Sequence, residues 1–224
     1  MDQVLQAVEV ETGPAPQASV IWLHGLGADG HDFEPIVPEL KLPADLALRF
    51  VFPHAPVRPV TLNGGYPMRA WFDIVKTGLN QRRDLAGMEA SRQAVEALMA
   101  RERERGIPAA RTVLAGFSQG GAVALYAGLQ HAERLAGIMA LSTYLPVGEG
   151  FEVHISPANA HLPVFYGHGT QDPVVPLQLG EYTRNWLTQQ GCMLNWHTYP
   201  MPHSVCAEEI VHISAWLTSV LHRP

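Results

Sequence analysis

The sequence predicts an α/β protein, in which a mostly parallel central sheet of about seven strands is flanked by helices. Three observations support this fold class. Short apolar runs alternate along the chain with longer segments of helical period. Several of these runs are continuously apolar, which is typical of strands buried on both faces of a parallel sheet. The length of 224 residues suits a single domain, and we assign residues 1–224 to it.

The individual elements follow from these runs in chain order. The strand candidates are Val4–Val10, Ser19–Leu23, Ala47–Phe52, Thr112–Ala115, Gly137–Leu141, Pro163–Tyr166 and Met193–Thr198. The helix candidates are Asp84–Arg105, Gln119–His131, Leu177–Gln190 and Ser204–Leu221. The first of these helices ends in the alternating charges of residues 101–105, which we interpret as a solvated helix end. The alternation of strands and helices favours right-handed crossovers between parallel strands.

The segment from Pro53 to Gln81 shows no clear period. It contains several prolines, the turn sequence at residues 63–65 and the aromatic pair Trp71-Phe72. A loop of this length inside a compact domain is usually either functional or disordered, and its aromatic content favours a functional loop. The aromatic pair either packs in the core or lines a binding site.

Composition and charge exclude several classes of protein. Apolar residues make up 47% and charged residues 16%, which argues against a disordered chain. The net charge of −6 disfavours a nucleic-acid binder. No apolar run reaches the length of a membrane span, and no signal peptide is recognisable at the N-terminus, so we expect a cytoplasmic protein without stable membrane insertion. The two cysteines, Cys192 and Cys206, form no metal or redox motif, and we expect neither a metal nor a cofactor.

Ser118 is the candidate nucleophile. Residues 116–120 read Gly-Phe-Ser-Gln-Gly, with a strand candidate before them and a helix candidate after them. A strand, a tight turn and a helix raise the serine hydroxyl above the sheet edge, where the helix N-terminus favours developing negative charge. The alternative interpretation is a plain strand-to-helix turn with an N-capping serine, which the surrounding pattern makes the weaker of the two.

Two backbone N–H groups are the candidate oxyanion donors. The strand at residues 19–23 ends in His24-Gly25-Leu26-Gly27, which lies where the oxyanion loop of a hydrolase with a nucleophile elbow belongs. This position nominates the amide of Leu26, and the residue after the nucleophile nominates the amide of Gln119. We expect the imidazole of His24 to hold the loop rather than to act as a nucleophile.

The acid and the base of a triad should follow Ser118 in that order. Asp172 is the only aspartate after Ser118, and it lies just beyond the strand candidate at residues 163–166. His203 lies in a strand-to-helix loop, from which an imidazole can reach the serine. The competing histidines 197, 212 and 222 fall within a strand, within a helix and near the C-terminus. We therefore predict Asp172 and His203 as the acid and the base.

With these residues placed, the chain resembles the carboxylesterase and acyl-protein thioesterase family of α/β-hydrolases. The matching segments are residues 24–27, 53–61, 71–74, 116–122, 167–176 and 202–204. The resemblance implies an α/β-hydrolase fold without a separate cap domain, and an acyl groove built from the loop at residues 62–79 with Leu62, Trp71 and Ile74 near the site. The insert at residues 63–70 looks most similar to bacterial carboxylesterases.

These residues predict a serine carboxylesterase that hydrolyses short-to-medium-chain esters through an acyl-enzyme intermediate. The alternative is an acyl-protein thioesterase or lysophospholipase acting on long acyl chains, which would use the same catalytic parts. A non-catalytic binding module with a hydrolase-like fold is a remote third possibility. The substrate is expected to be a small-molecule ester, an acylated protein or a lysolipid. Apolar residues in the loop at 60–79 are compatible with a homodimer.

Overall fold

A seven-stranded sheet forms the centre of the computed structural model, which describes residues 4–75, 84–147 and 150–222. The central strands are β1 Ala7–Glu11, β2 Ala18–Leu23, β3 Leu48–Pro53, β6 Thr112–Phe117, β7 Gly137–Leu141, β8 Pro163–Gly169 and β9 Met193–Tyr199. Their order is β1-β3-β2-β6-β7-β8-β9. β1 runs antiparallel to β3, and every other neighbouring pair is parallel. The predicted fold class and all seven predicted strands are confirmed.

Burial along the strands explains why the sequence pattern indicates them so clearly. Every residue of β2, β3, β7 and β8 is buried, and their residues are apolar or glycine except for Ser19, Arg49 and His168. β9 lies at an edge, is partly exposed along its length and mixes polar with apolar residues accordingly.

Helices cover both faces of the sheet. They are α1 Leu85–Glu104, α2 Gln119–Gln130, α3 Leu177–Gln189 and α4 Ala207–Leu221. One core forms between the sheet and α1, α2 and α3, and a second forms between the sheet, α4 and the 3₁₀ helix Glu34–Leu40. The four helices predicted from the sequence are confirmed, with ends that differ by up to three residues.

The segment from Pro53 to Gln81 contains structure that the sequence does not indicate. β4 (Val57–Val60) and β5 (Tyr66–Arg69) form an antiparallel hairpin. Pro59 and Pro67 face each other across it, and a two-stranded ribbon tolerates proline because both of its strands are edges. Proline within an apolar run argues against a strand, which is why the sequence pattern hides the hairpin. Residues 76–83, including the end of the expected acyl loop, lie outside the described residues.

The charged end of α1 is only partly solvated, which corrects the expectation for residues 101–105. Glu102 is fully buried, and its carboxylate pairs with Arg49 at 3.0 Å and with Arg105 at 2.9 Å. Arg105 also pairs with Glu9 at 2.8 Å, so the helix end is fixed to β1 and β3 by a network of ion pairs. Alternating charge in a sequence does not reveal that one carboxylate of the run points inward.

The carboxyl ends of β2, β6, β8 and β9 lie along one edge of the sheet, because these strands are all parallel. The loops that follow them carry Leu26, Ser118, Asp172 and His203, respectively. In open α/β sheets this edge is where ligands bind. The fold therefore brings the loops carrying the predicted site residues to one side of the molecule.

Candidate active site

Ser118 occupies a strained turn between β6 and α2. Its φ of +53° lies in the region that L-residues rarely adopt, at a cost of about 1–3 kcal/mol that surrounding contacts must offset. The Ser118 N–H donates to the carbonyl of Leu141 at 2.9 Å, and the Thr143 hydroxyl donates to the Ser118 carbonyl at 2.6 Å. These bonds tie the turn to β7 and the loop that follows it.

Two glycines make this turn possible. A Cβ on Gly116 would lie 2.3 Å from the carbonyl carbon of Gly120, and a Cβ on Gly120 would lie 2.4 Å from the carbonyl oxygen of Leu23. Any side chain at either position would force α2 away from β6 or β2. The G-x-S-x-G pattern is thus a packing requirement of the sharp turn that exposes Ser118.

The loop after β2 lies against the serine. A Cβ on Gly25 would sit 3.6 Å from the Cβ of Ser118. His24 holds this loop, as expected from the sequence: its Nε2 accepts the N–H of Ala55 at 3.0 Å, and its Nδ1 therefore carries the proton and donates to the Gly25 carbonyl at 2.7 Å. Burial lowers the pKa of His24, which keeps the imidazole neutral.

The amides of Leu26 and Gln119 are available to a ligand. Among the described residues, neither N–H donates to a protein acceptor, and both residues line the same cavity as Ser118. Gln119 is the first residue of α2, where the helix dipole adds partial positive charge. The arrangement can stabilise an oxyanion formed beside Ser118.

Asp172 and His203 form a direct hydrogen bond of 2.6 Å between Oδ2 and Nδ1. The other carboxylate oxygen, Oδ1, accepts the N–H groups of Val174 and Val175 at 2.8 Å each. These bonds fix the Asp172 side chain, which is fully buried, so that one oxygen faces the imidazole. The Asp172–His203 pair therefore has the geometry that selects one imidazole tautomer, with the proton on Nδ1 and Nε2 free to act as a base.

The imidazole of His203 lies next to the serine turn. Its ring centroid is 4.6 Å from that of Phe117, the residue immediately before Ser118, and its side chain is 16% exposed. His168 serves as support: its Nε2 lies 2.8 Å from the Val175 carbonyl, and burial lowers its pKa. His197 and His212 stack on each other between β9 and α4 and do not line the cavity.

A cavity of about 450 Å³ opens beside Ser118. One wall is formed by Leu62, Phe72 and Ile74 from the segment after β4, and Leu62 and Ile74 are two of the predicted acyl-groove residues. The other apolar wall comes from two parts of the chain. The loop after β7 contributes Pro146 and Phe151, and the segment before and within α3 contributes Val174, Val175 and Leu179. The sequence does not predict this second wall, because the residues are scattered over several loops and form no motif.

Trp71, which the resemblance places near the acyl groove, does not line the cavity. Its side chain is fully buried, and its Nε1–H donates to the His24 carbonyl at 2.9 Å. Its backbone N–H donates to the Gln119 side chain at 2.9 Å, and that side chain donates in turn to the Phe72 carbonyl at 2.7 Å. Trp71 therefore ties the loop at residues 24–27 to the cavity wall, and Phe72 is the aromatic residue of the pair that faces the cavity.

The described residues offer no metal centre beside this arrangement. Across the part of the chain that the structure describes, no three His, Cys, Asp or Glu side chains are grouped closely enough to hold an ion. Within the same ranges, each helix is too short or too polar to cross a lipid bilayer.

Residues 5–221 match the family model described as phospholipase/carboxylesterase. The chain belongs to this family of α/β-hydrolases. Among its relatives, the acyl-protein thioesterase 1 of Neurospora crassa is 41% identical over 213 residues, covering 91% of this chain and 87% of the relative. The acyl-protein thioesterase 1 of Mycosarcoma maydis is 37% identical over 229 residues, covering 96% and 95%. The crystal structure of Zea mays acyl-protein thioesterase 2 superposes with a TM-score of 0.83 at 29% identity, covering 96% and 100%.

Membership of the phospholipase/carboxylesterase family makes the chain a serine hydrolase of the esterase kind. The family assignment and the class of enzyme expected from the sequence are therefore confirmed. The curated relatives of 37–41% identity carry the name of the thioesterase alternative, not that of the short-to-medium-chain carboxylesterase that the sequence placed first.

Proposed function

We propose that this chain is a serine thioesterase that removes long acyl chains from proteins, with Ser118 as nucleophile, His203 as base and Asp172 as the residue that orients the base. The observation that carries the proposal is the apolar cavity that shares its wall with Ser118 and with the oxyanion donors Leu26 and Gln119. The names of the relatives of 37–41% identity support the same substrate class.

The size of the cavity supports a long acyl chain. The cavity volume of about 450 Å³ is many times the ~30 Å³ that a water molecule occupies in the liquid. An acetyl or butyryl group would leave most of this space empty, whereas a long chain would bury its methylenes against Leu62, Ile74 and Leu179 at about 0.8 kcal/mol each.

The reaction proceeds in two halves. Ser118 Oγ attacks the acyl carbon as His203 Nε2 takes the hydroxyl proton, and the amides of Leu26 and Gln119 hold the oxyanion. The C–S bond then breaks, and His203 returns its proton to the leaving sulfur. In the second half, His203 deprotonates a water molecule that attacks the acyl-Ser118 ester, and the fatty acid leaves as Ser118 recovers its proton. Removing one oxyanion donor typically costs about 3–4 kcal/mol of the barrier reduction.

The decisive experiment is a series of kcat/KM values from acetyl to palmitoyl, measured on matched oxygen esters and thioesters. The proposal predicts that kcat/KM rises by up to roughly fourfold per added methylene, and that the rise continues into the long chains. A maximum at short-to-medium chains with no preference for thioesters would contradict it and return the assignment to a short-chain carboxylesterase.

Ser118→Ala is the matched control for the role of the serine. It should remain folded, lose labelling by a fluorophosphonate probe and lose several orders of magnitude in kcat. Turnover that persists in this variant, with contamination excluded, would show that another residue is the nucleophile.

A further inference from the structure

Glu209 carries a buried carboxyl group that the reaction above does not use. It lies in the first turn of α4 and is fully buried. Within the described part of the chain, neither of its carboxyl oxygens has a hydrogen-bond partner of good geometry, and no cationic side chain forms an ion pair with it. A buried acid without a partner is costly, so its position calls for an explanation.

The contacts of Glu209 place it directly behind the segment that carries His203. A Cβ on Gly167 of β8 would lie 1.9 Å from Glu209 Oε1, so the carboxyl group occupies the space that this glycine leaves open. Two residues further along β8, a Cβ on Gly169 would lie 2.4 Å from the Met201 carbonyl oxygen and 2.5 Å from that of Pro202. Because alternate residues of a strand share a face, Glu209 and the His203 loop (residues 200–206) pack side by side on β8.

β8 also leads into the Asp172 turn, so the same surface supports both members of the Asp172–His203 pair. The Gln171 N–H donates to the Met201 carbonyl at 3.1 Å, and the Thr170 N–H donates to the Tyr199 carbonyl at 2.8 Å. These bonds hold the His203 loop against the Asp172 turn, and because α4 continues directly from that loop, a shift of its first turn away from β8 would strain them.

The environment of Glu209 favours the neutral acid. Taking a lone carboxylate out of water without a partner costs several kcal/mol, and such a group binds a proton instead. Burial raises the pKa of Glu209 to about 8, while the nearby backbone N–H of Cys206 opposes part of the shift. The acid is thus protonated at neutral pH and ionises in the mildly alkaline range.

We propose that Glu209 is a positioning residue, which holds the His203 loop against β8 in its protonated form and releases the loop when its carboxyl group ionises. The proposal rests on the proposed function, because it takes His203 as the base. It predicts that activity falls at alkaline pH because Glu209 on α4 ionises, and not because Ser118, Asp172 or His203 titrates.

Several other titratable groups lie on the elements around Glu209. They are His197 and Tyr199 on β9, Cys206, Glu208 and His212 at the start of or along α4, and Asp172 and His203 in the loops above. Tyr199 has its pKa raised, first by burial and then by the charge of Glu209, and its hydroxyl bonds His212 at 3.0 Å. Burial lowers the pKa of His197, so that group titrates on the acid side.

The test is the pH profile of kcat/KM for the wild type, Glu209→Gln and Glu208→Gln. In the wild type, kcat/KM should fall above about pH 8, by up to tenfold per pH unit. Glu209→Gln keeps the size of the side chain but cannot ionise, so the fall should disappear or move by more than one pH unit. Glu208→Gln removes the neighbouring exposed carboxylate and should retain the wild-type fall.

A folded Glu209→Gln variant with the wild-type alkaline fall would overturn the proposal. Should that variant not fold, ¹³C NMR of wild-type protein labelled at the glutamate carboxyl carbons decides the question. The proposal requires one carboxyl group that titrates with the midpoint of the activity loss, and it is wrong if every glutamate titrates in the ordinary acid range. If the wild-type protein were not labelled by a fluorophosphonate at Ser118 at neutral pH, the proposed function would be refuted instead. Failure of the Glu209 proposal and failure of the proposed function are therefore distinguishable.

Discussion

The substitution Trp71→Phe separates a residue that supports the catalytic loop from one that contacts the acyl chain. It removes the Nε1–H that donates to the His24 carbonyl at 2.9 Å, at a site with no solvent access. An unpaired buried carbonyl costs about 1–3 kcal/mol, and the smaller ring leaves an additional cavity. We expect a total destabilisation of about 3 kcal/mol, or roughly 6–12 °C in Tm for a domain of this size.

The same substitution should lower kcat/KM by a similar factor at every acyl length. His24 directly precedes Gly25 and Leu26, so a displaced His24 carbonyl shifts the Leu26 amide, which we propose as an oxyanion donor. A loss of about 1.4 kcal/mol in transition-state stabilisation would mean a tenfold slower reaction. Trp71 does not line the cavity, so the increment per methylene should not change.

The assay is thermal unfolding together with the acyl-length series on Trp71→Phe and on Phe72→Leu as the comparison variant. Phe72 lines the cavity, so its truncation should weaken long-chain substrates more than acetyl ones. A Trp71→Phe protein of wild-type stability whose activity fell only for long chains would refute the reasoning. Trp71 would then be assigned as a residue that contacts the acyl chain.

Two further predictions concern the acid and the supporting histidine. Asp172→Asn should keep the fold but lower kcat by about four orders of magnitude. The introduced amide group can donate to His203 Nδ1, which favours the wrong imidazole tautomer. A loss of kcat below tenfold, measured by steady-state kinetics on a folded sample, would contradict the role of Asp172. Burial lowers the pKa of His168 below its ordinary value of 6.5. As the pH falls below 6.5, the unfolded chain binds a proton at this histidine before the folded chain does, so the free energy of unfolding should decline there and be unaffected by His168 above that pH. His168→Gln should reduce this slope in denaturant titrations at several pH values, and an unchanged slope would assign it to other groups.

The sequence predicts the fold well because its strands are buried along their whole length. β2, β3, β7 and β8 have no solvent-facing side, so apolar residues dominate both faces of each strand and only Ser19, Arg49 and His168 interrupt them. The hairpin β4–β5 carries prolines that argue against strands, and only its three-dimensional setting as an isolated ribbon permits them.

The candidate site likewise has residues that the sequence predicts and residues that it does not. The positions of Ser118, Asp172 and His203 follow from where strands end, and strand ends are visible in the sequence. The direction of a side chain within an aperiodic loop is not visible, so Trp71 and Phe72 could not be told apart as core and cavity residues. Glu209 is similarly hidden, since an acidic residue in the first turn of a helix is usually a solvated, dipole-stabilising one.

The placement of the site residues after four parallel strands sets when activity can arise during synthesis of the chain. Ser118 and its turn need only β2, β6 and β7, whereas His203 is residue 203 of 224 and is fixed to β8 through Gly169 and Gln171. α4, which closes the second core through Ile213, Trp216 and Leu217, is made later still. At about 5–20 residues per second, ribosomal synthesis reaches His203, the proposed base, seconds after it has made the strands that hold the Ser118 turn. The nascent chain therefore carries the proposed nucleophile for seconds before the Asp172–His203 pair is complete.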